Sequence, residues 1–192
     1  FSDFNAPIRV NSLTGTNTIS SGPETICYLG DPMQISGLSE PTHNLVGGTV
    51  LFRWQRRSQG TISWSDISGA NAVNYNPLSG QLTSTTEFRR LAIASYNSLE
   101  CSGNTSPTFV SNTYVVNVVP SFTATLTSSP DPAQICEGDP FTFTAAAVPG
   151  ATYEFLVNDI SEGPASTSRT LVKSLTNGQE VKVIVTSGAC SI

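Results

Sequence analysis

Apolar and polar residues alternate along most of this 192-residue chain, in short runs separated by Gly, Pro, Asn and Asp. A period of two marks a strand with one buried face. Residues 49–57 give the clearest run, with Phe52 and Trp54 on one face and Arg53 and Gln55 on the other. Residues 86–96 form the longest run. Shorter ones end at Cys27, cover 33–37 and 62–67, place Val73 beside Tyr75, and close at 113–119. Further runs follow at 122–126, 140–147, 153–158, 170–175 and 180–186, with Asn177-Gly178 as a hairpin turn between the last two. No window sustains a 3.6-residue period, so helix is not expected. Short strands at this spacing predict an all-β protein of sandwich type. On the same pattern Phe52, Trp54, Leu91 and Ile93 form one core, and Phe143, Phe155, Val183 and Val185 a second.

The pattern contains an internal repeat. Ile26-Cys27-Tyr28-Leu29-Gly30-Asp31-Pro32 returns, one residue shorter, as Ile135-Cys136-Glu137-Gly138-Asp139-Pro140. Each copy is followed by one later cysteine, Cys101 and Cys190. The reading is two tandem domains, 17–120 and 121–192, each an Ig-like β-sandwich with one disulfide. Four cysteines allow three pairings, and the repeat selects Cys27–Cys101 and Cys136–Cys190. In the chain-entropy model each bridge stabilises its domain by about 4 kcal/mol. Residues 1–16 are extended at 8–13. They are the last strand or linker of a preceding repeat, or an ordinary first strand of domain one. The chain starts at Phe1 and stops two residues after Cys190, so it reads as an interior piece of a longer exported protein. Domain two then lacks its last strand and exposes an edge.

Composition narrows the class. Charged residues are 12% and hydrophobic residues 38% of the chain, with Ser, Thr and Asn supplying the polarity, which suits a folded β protein rather than a disordered one. The net charge of −5 argues against nucleic-acid binding. No run of 18 apolar residues occurs, so no direct membrane insertion is expected. Paired cysteines point to an extracellular setting.

The order Ile26-Cys27, Gly30-Asp31-Pro32, Phe52-Arg53-Trp54-Gln55, Trp64-Ser65-Asp66-Ile67, Tyr75-Asn76-Pro77-Leu78, Thr86-Glu87-Phe88-Arg89-Arg90 and Cys101-Ser102-Gly103 carries a resemblance. It resembles the Ig-like repeats of giant cell-surface proteins of the Bacteroidota, including SprB-type gliding adhesins. Domain two resembles the companion repeat through Tyr153-Glu154-Phe155-Leu156-Val157-Asn158 and Leu175-Thr176-Asn177-Gly178. The resemblance implies a non-enzymatic structural or adhesive repeat without cofactors, exported by type IX secretion and displayed at the cell surface. It would act as a stiff spacer, with adjacent repeats of the same chain as partners and surface polysaccharide or another surface protein beyond them. The alternative is a carbohydrate-binding accessory module of a secreted enzyme.

Candidate chemistry is sparse. His43 is the only histidine, no CxxC, HExxH or Gly-x-Ser-x-Gly motif occurs, and the carboxylates are scattered. His43 reads as a plain loop residue. Asp31 and Asp139 sit in Gly-Asp-Pro turns, where Asp accepts backbone hydrogen bonds. Calcium at a domain junction is their weaker alternative. Arg53, Arg56, Arg57, Arg89 and Arg90 lie on two strands expected to be neighbours. They form a solvated sheet face, or Arg53, Arg57 and Arg89 meet an acidic polysaccharide beside Trp64 or Tyr96. Trp54 is read as core, and Trp64 as core or as a sugar-stacking platform. Asn104-Thr105-Ser106 is a formal glycosylation sequon.

Overall fold

The alternating runs are strands, and the described residues contain no helix. The computed structural model describes residues 12–44, 46–96, 99–100, 108–130 and 136–192. Chain contacts divide it into two units, Phe1–Val118 and Val119–Ile192.

The first unit has strands β1 (Leu13–Thr14), β2 (Thr18–Ile19), β3 (Glu24–Cys27), β4 (Gly37–Ser39), β5 (Thr42–His43), β6 (Gly48–Ser58), β7 (Ser65–Asp66), β8 (Thr86–Tyr96), β9 (Leu99–Glu100), β10 (Thr108–Val110) and β11 (Tyr114–Val119). Its main sheet runs β3-β11-β8-β6-β7, with β9 and β10 pairing along the rest of β8. The β2–β4 ladder and an Ile35–Tyr75 bridge bring Ile19 and Ile35 onto one face of that sheet. There they pack with Trp54, Phe88, Tyr114 and Val116. Trp54 is fully buried, and its Nε1 donates to the Ala72 carbonyl at 2.9 Å. Leu13 pairs with His43 and packs against Ala92 and Ala94. Of the segment read as 1–16, only residues 12–16 are described.

Two runs are shorter than their sequence suggests. Residues 33–37 contribute only the Ile35 bridge and Gly37, the first residue of β4, and 62–67 only β7, with Ile62 left 91% exposed. The expected domain-one core also changes. β6 and β8 pair antiparallel, with Trp54 opposite Arg90 and Phe52 opposite Ala92. Directly opposed residues share a face, so Phe88, Arg90, Ala92 and Ala94 join Trp54. Leu91 and Ile93 point to the other side, where Ile93 opposes Leu51. Ile93 is buried there and Leu91 half-buried.

Arg90 therefore sits inside the core face, fully buried. Its Nε and Nη2 donate to Asn17 Oδ1 at 2.9 and 2.7 Å. Nη1 donates to the Val73 carbonyl at 2.7 Å and Nη2 to the Ser39 and Thr18 carbonyls at 2.6 and 3.4 Å. The guanidinium lies 4.3 Å from the centroid of the Phe52 ring. Gly37 makes room for it, since a Cβ there would stand 2.1 Å from Nη1. Asn17 in turn donates to the Arg90 and Phe109 carbonyls. Between β10 and β11, Ser111 accepts the Arg90 N–H through Oγ and returns its own N–H to the Arg90 carbonyl.

The second unit has β12 (Leu126–Ser129), β13 (Pro140–Ala145), β14 (Thr152–Val157), β15 (Ile160–Ser161), β16 (Thr170–Ser174), β17 (Val181–Ser187) and β18 (Cys190–Ser191). They form a β12-β13-β16 sheet and a β15-β14-β17-β18 sheet. Between them lie Phe141, Phe143, Tyr153, Phe155 and Val185, with Val183 packed partly against the cluster. Alternation along β13 and β14 supplies this core directly. Asn177-Gly178 is not a hairpin turn. Its flanking strands belong to different sheets, β16 on β13 and β17 on β14, so the turn bridges the two layers. Gly178 adopts φ +86°, the left-handed region that glycine enters without strain. β18 extends β17, and Ile192 exchanges both backbone bonds with Val185.

The expected Cys136–Cys190 bridge does not form. Cys136 is a free, exposed thiol, while Cys190 is disulfide-bonded. Cys136 lines a cavity with Val181, at the start of β17, whereas Cys190 pairs with Ser187 at its end. The strand between them spans about 20 Å, several times the Cα separation of about 4.4–6.8 Å that a disulfide permits. Cys27 is also disulfide-bonded. Cys101, its expected partner, lies outside the described residues, as does the 104–106 sequon.

Two outcomes follow. Arg90→Met removes the donors from Asn17 and three carbonyls in a dry site, and leaving several such groups unsatisfied costs roughly 1–3 kcal/mol each. The denaturant midpoint of the first unit should fall by more than that of Arg56→Met, which alters an exposed arginine. Alkylation of the native protein without reductant should modify Cys136 and leave Cys27 and Cys190 untouched, as read by peptide mapping.

Candidate functional site

The same two strands that bury Arg90 turn their other face outward. Arg53, Gln55 and Arg57 come from β6, and Glu87 and Arg89 from β8. The register sets Arg57 opposite Glu87 and Gln55 opposite Arg89. Arg57 Nε donates to Glu87 Oε2 at 2.6 Å. Arg89 Nε donates to Gln55 Oε1 at 2.8 Å, and Gln55 Nε2 donates to Asp66 Oδ1 at 2.7 Å. Asp66 also lies 3.6 Å from Arg53 Nη1.

Trp64 reaches this face from the β6–β7 connection. The turn is closed by Thr61, whose N–H and hydroxyl both donate to the Ser58 carbonyl, and Gly60 takes φ +82°. The Arg57 and Arg89 guanidinium carbons then lie 4.5 and 4.2 Å from the Trp64 ring centroid. A cation over an indole face is attracted by the ring quadrupole. The arrangement brings together Arg53, Arg57, Arg89 and Trp64, the four residues marked as a polysaccharide contact. Trp64 is neither core nor a bare platform, because it is half-buried against two arginines. The side chain of Tyr96 lies outside the described structure.

Charge on this face is uneven. Arg57 and Arg53 each have a carboxylate neighbour, Glu87 and Asp66. Among the described residues Arg89 has the Gln55 amide and the indole and no carboxylate. Partial burial, and then the positive charge of Arg57, press the Arg89 pKa below its usual value. Arg90 is lowered too, by burial first, with Glu40 acting against it. Both remain cationic at neutral pH.

The other candidates have structural surroundings. Asp139 Oδ2 accepts the Cys136 N–H at 3.4 Å, and its own N–H donates to the Cys136 carbonyl, which makes it a turn residue. Asp31 is exposed in the first unit. Among the described residues no three His, Cys, Asp or Glu side chains gather where they could hold a metal ion. His43 is in a strand rather than a loop, and its imidazole packs against Gly48.

The Arg90–Asn17 cluster is what sequence reading missed. A signal was present: Arg90 is in phase with Phe88 and Ala92, so period-two counting alone puts it on the apolar face.

These two units are all-β domains built from antiparallel sheets. The model of one family, a domain of unknown function (DUF8696), matches residues 15–120, and the chain belongs to that family. Solved structures are similar at low identity. One of them holds the N-terminal four Ig domains of Dscam1 isoform 6.9, at 13% identity over 92% of this chain and 44% of that chain, with a TM-score of 0.39. The FN1–FN3 domains of chicken CNTN1 match at 10% identity over 92% of this chain and 62% of that one, with a TM-score of 0.32. The chain spans less than two thirds of the length of these solved chains. No curated protein matches.

Trp64→Ala removes both ring contacts, each worth about 0.5–1 kcal/mol at a partly exposed site. Unfolding should show a loss of about 1–2 kcal/mol. A double-mutant cycle of Trp64→Ala with Arg57→Gln should be non-additive. Additive losses would mean that the contact carries no energy.

Proposed function

We propose that this chain is a non-enzymatic structural segment of a long extracellular, adhesive surface protein, with its two Ig-like units serving as a stiff spacer. The observation that carries the reading is the shortness of the connection between cores. Val118 belongs to the core of the first unit and Phe122 packs against that of the second. Only Val119, Pro120 and Ser121 intervene, and β11 runs through Val119. Pro120 has a fixed φ, so the tether has few free torsions. A compliant connection would use a longer Gly- and Ser-rich segment. Disulfide-bonded Cys27 and Cys190 fit an oxidising, extracellular compartment. Within this reading the neighbours on either side are further repeats. The parent is a type IX-exported surface protein of the gliding-adhesin kind, attached at the outer membrane.

The test is orientational. Residual dipolar couplings should fit both units to one alignment tensor in the native protein. Insertion of a flexible Gly-Ser segment between Pro120 and Ser121 should split them into two tensors. Separate tensors before insertion would defeat the spacer reading.

A further inference from the structure

The outer face of β6 and β8 holds a cation that the spacer role does not use. From residue 12 to 118 the only basic residues are Arg53, Arg56, Arg57, Arg89 and Arg90, all on these two strands. Arg90 is spent inside the core. Arg56 lies exposed on the Arg90 side of the strand pair, and on the outer face Glu87 and Asp66 answer two of the three guanidinium groups there. Arg89 stands over the same indole as Arg57, with an amide rather than a carboxylate on its Nε. Two like charges against one ring, in a chain of net charge −5, make a local site for an anion.

The surroundings select the kind of anion. A groove of about 340 Å³ beside Arg57 is lined by Ser58, Ser65, Thr83, Ser84 and Thr86 among others. A second, of about 550 Å³, runs past Arg53, Asp66 and the 67–71 turn. Both are open and mainly polar. Protein ligands anchor through apolar side chains in desolvated pockets; Val50, Leu51, Phe52 and Ile67 also line the second groove, but both grooves are open to solvent. A hydroxyl-lined groove that reaches Arg57, together with a guanidinium pair stacked on a half-open indole, suits a hydroxylated, anionic chain.

We infer that the Arg57–Trp64–Arg89 face binds an acidic polysaccharide, with a carboxylate of the sugar chain meeting the Arg89 guanidinium and the open part of the Trp64 ring lying along a pyranose. Guanidinium matches a carboxylate with two parallel hydrogen bonds, which lysine cannot reproduce. The inference is independent of the spacer reading, since a flexible pair of units could carry the same face.

The experiment is titration of the whole chain with polygalacturonate at low and at physiological salt. Neutral dextran and poly-glutamate serve as comparison polymers. Binding to polygalacturonate should weaken with salt, and dextran should not bind. Arg89→Gln should lose about ten-fold in affinity or more, as for other charge-assisted pairs. Arg89→Lys should fall between the two, and Lys173→Gln, in the second unit, should match the native chain. Circular dichroism of Arg89→Gln should be native, because Arg89 meets Gln55 and Trp64 on an outer face and lies outside the buried core. If Arg89→Gln unfolds the unit, Trp64→Phe takes its place, with weaker binding expected. No binding at low salt overturns the inference. So does binding that Arg89→Gln, or in its place Trp64→Phe, leaves unchanged. Tighter binding of poly-glutamate overturns it in favour of an acidic protein partner.

Discussion

The first unit depends on one buried guanidinium. Arg90 has no carboxylate partner among the described residues, and its charge is held by neutral oxygens: one side-chain amide and the carbonyls of Thr18, Ser39 and Val73. An unpaired charge in a dry interior is expensive, and dense hydrogen bonding is what makes it tolerable. The fork geometry of arginine lets one side chain reach segments far apart in sequence. Residues 17–18, 39 and 73 all converge on it. Gly37 and Asn17 are therefore constrained by Arg90 as firmly as any apolar residue is by its neighbours.

The two faces of one strand pair treat the same residue type in opposite ways. Arg90 and Arg89 are adjacent in sequence and project to opposite sides of β8. One is enclosed and saturated with acceptors, and the other stacks on an indole with its charge less fully answered. That division follows from the pleat alone. It turns a short run of basic residues into a structural tie on one side and an outward-facing cation on the other.

Strand positions and the all-β class were legible because alternation is a local property. The 86–96 run is β8 to the residue, and Phe143, Phe155 and Val185 are core because their own strands alternate cleanly. Pairing is not local, and the errors lie there. Leu91 and Ile93 were expected beside Trp54, but the register with β6 turns them to the other face, where Ile93 is still buried and Leu91 half-buried. Asn177-Gly178 carries hairpin chemistry, yet its two strands join different sheets. The repeat suggested Cys136–Cys190, but sequence similarity between copies says nothing of distance along β17. The candidate face was legible as a set of residues, whereas the turn that lays Trp64 across Arg57 and Arg89 was not.

The Asn112 side chain joins the beginning of the first unit to its end. Its Oδ1 accepts the Ile19 N–H and its Nδ2 donates to the Ile19 carbonyl, so an amide stands in for a backbone rung between β2 and the approach to β11. Asn17 adds a bond to the Phe109 carbonyl close by. Three bonds from two asparagine amides thus fasten residues 17–19 to residues 109–112, so the early strands of the unit are held to its late ones by side chains as well as through the sheets.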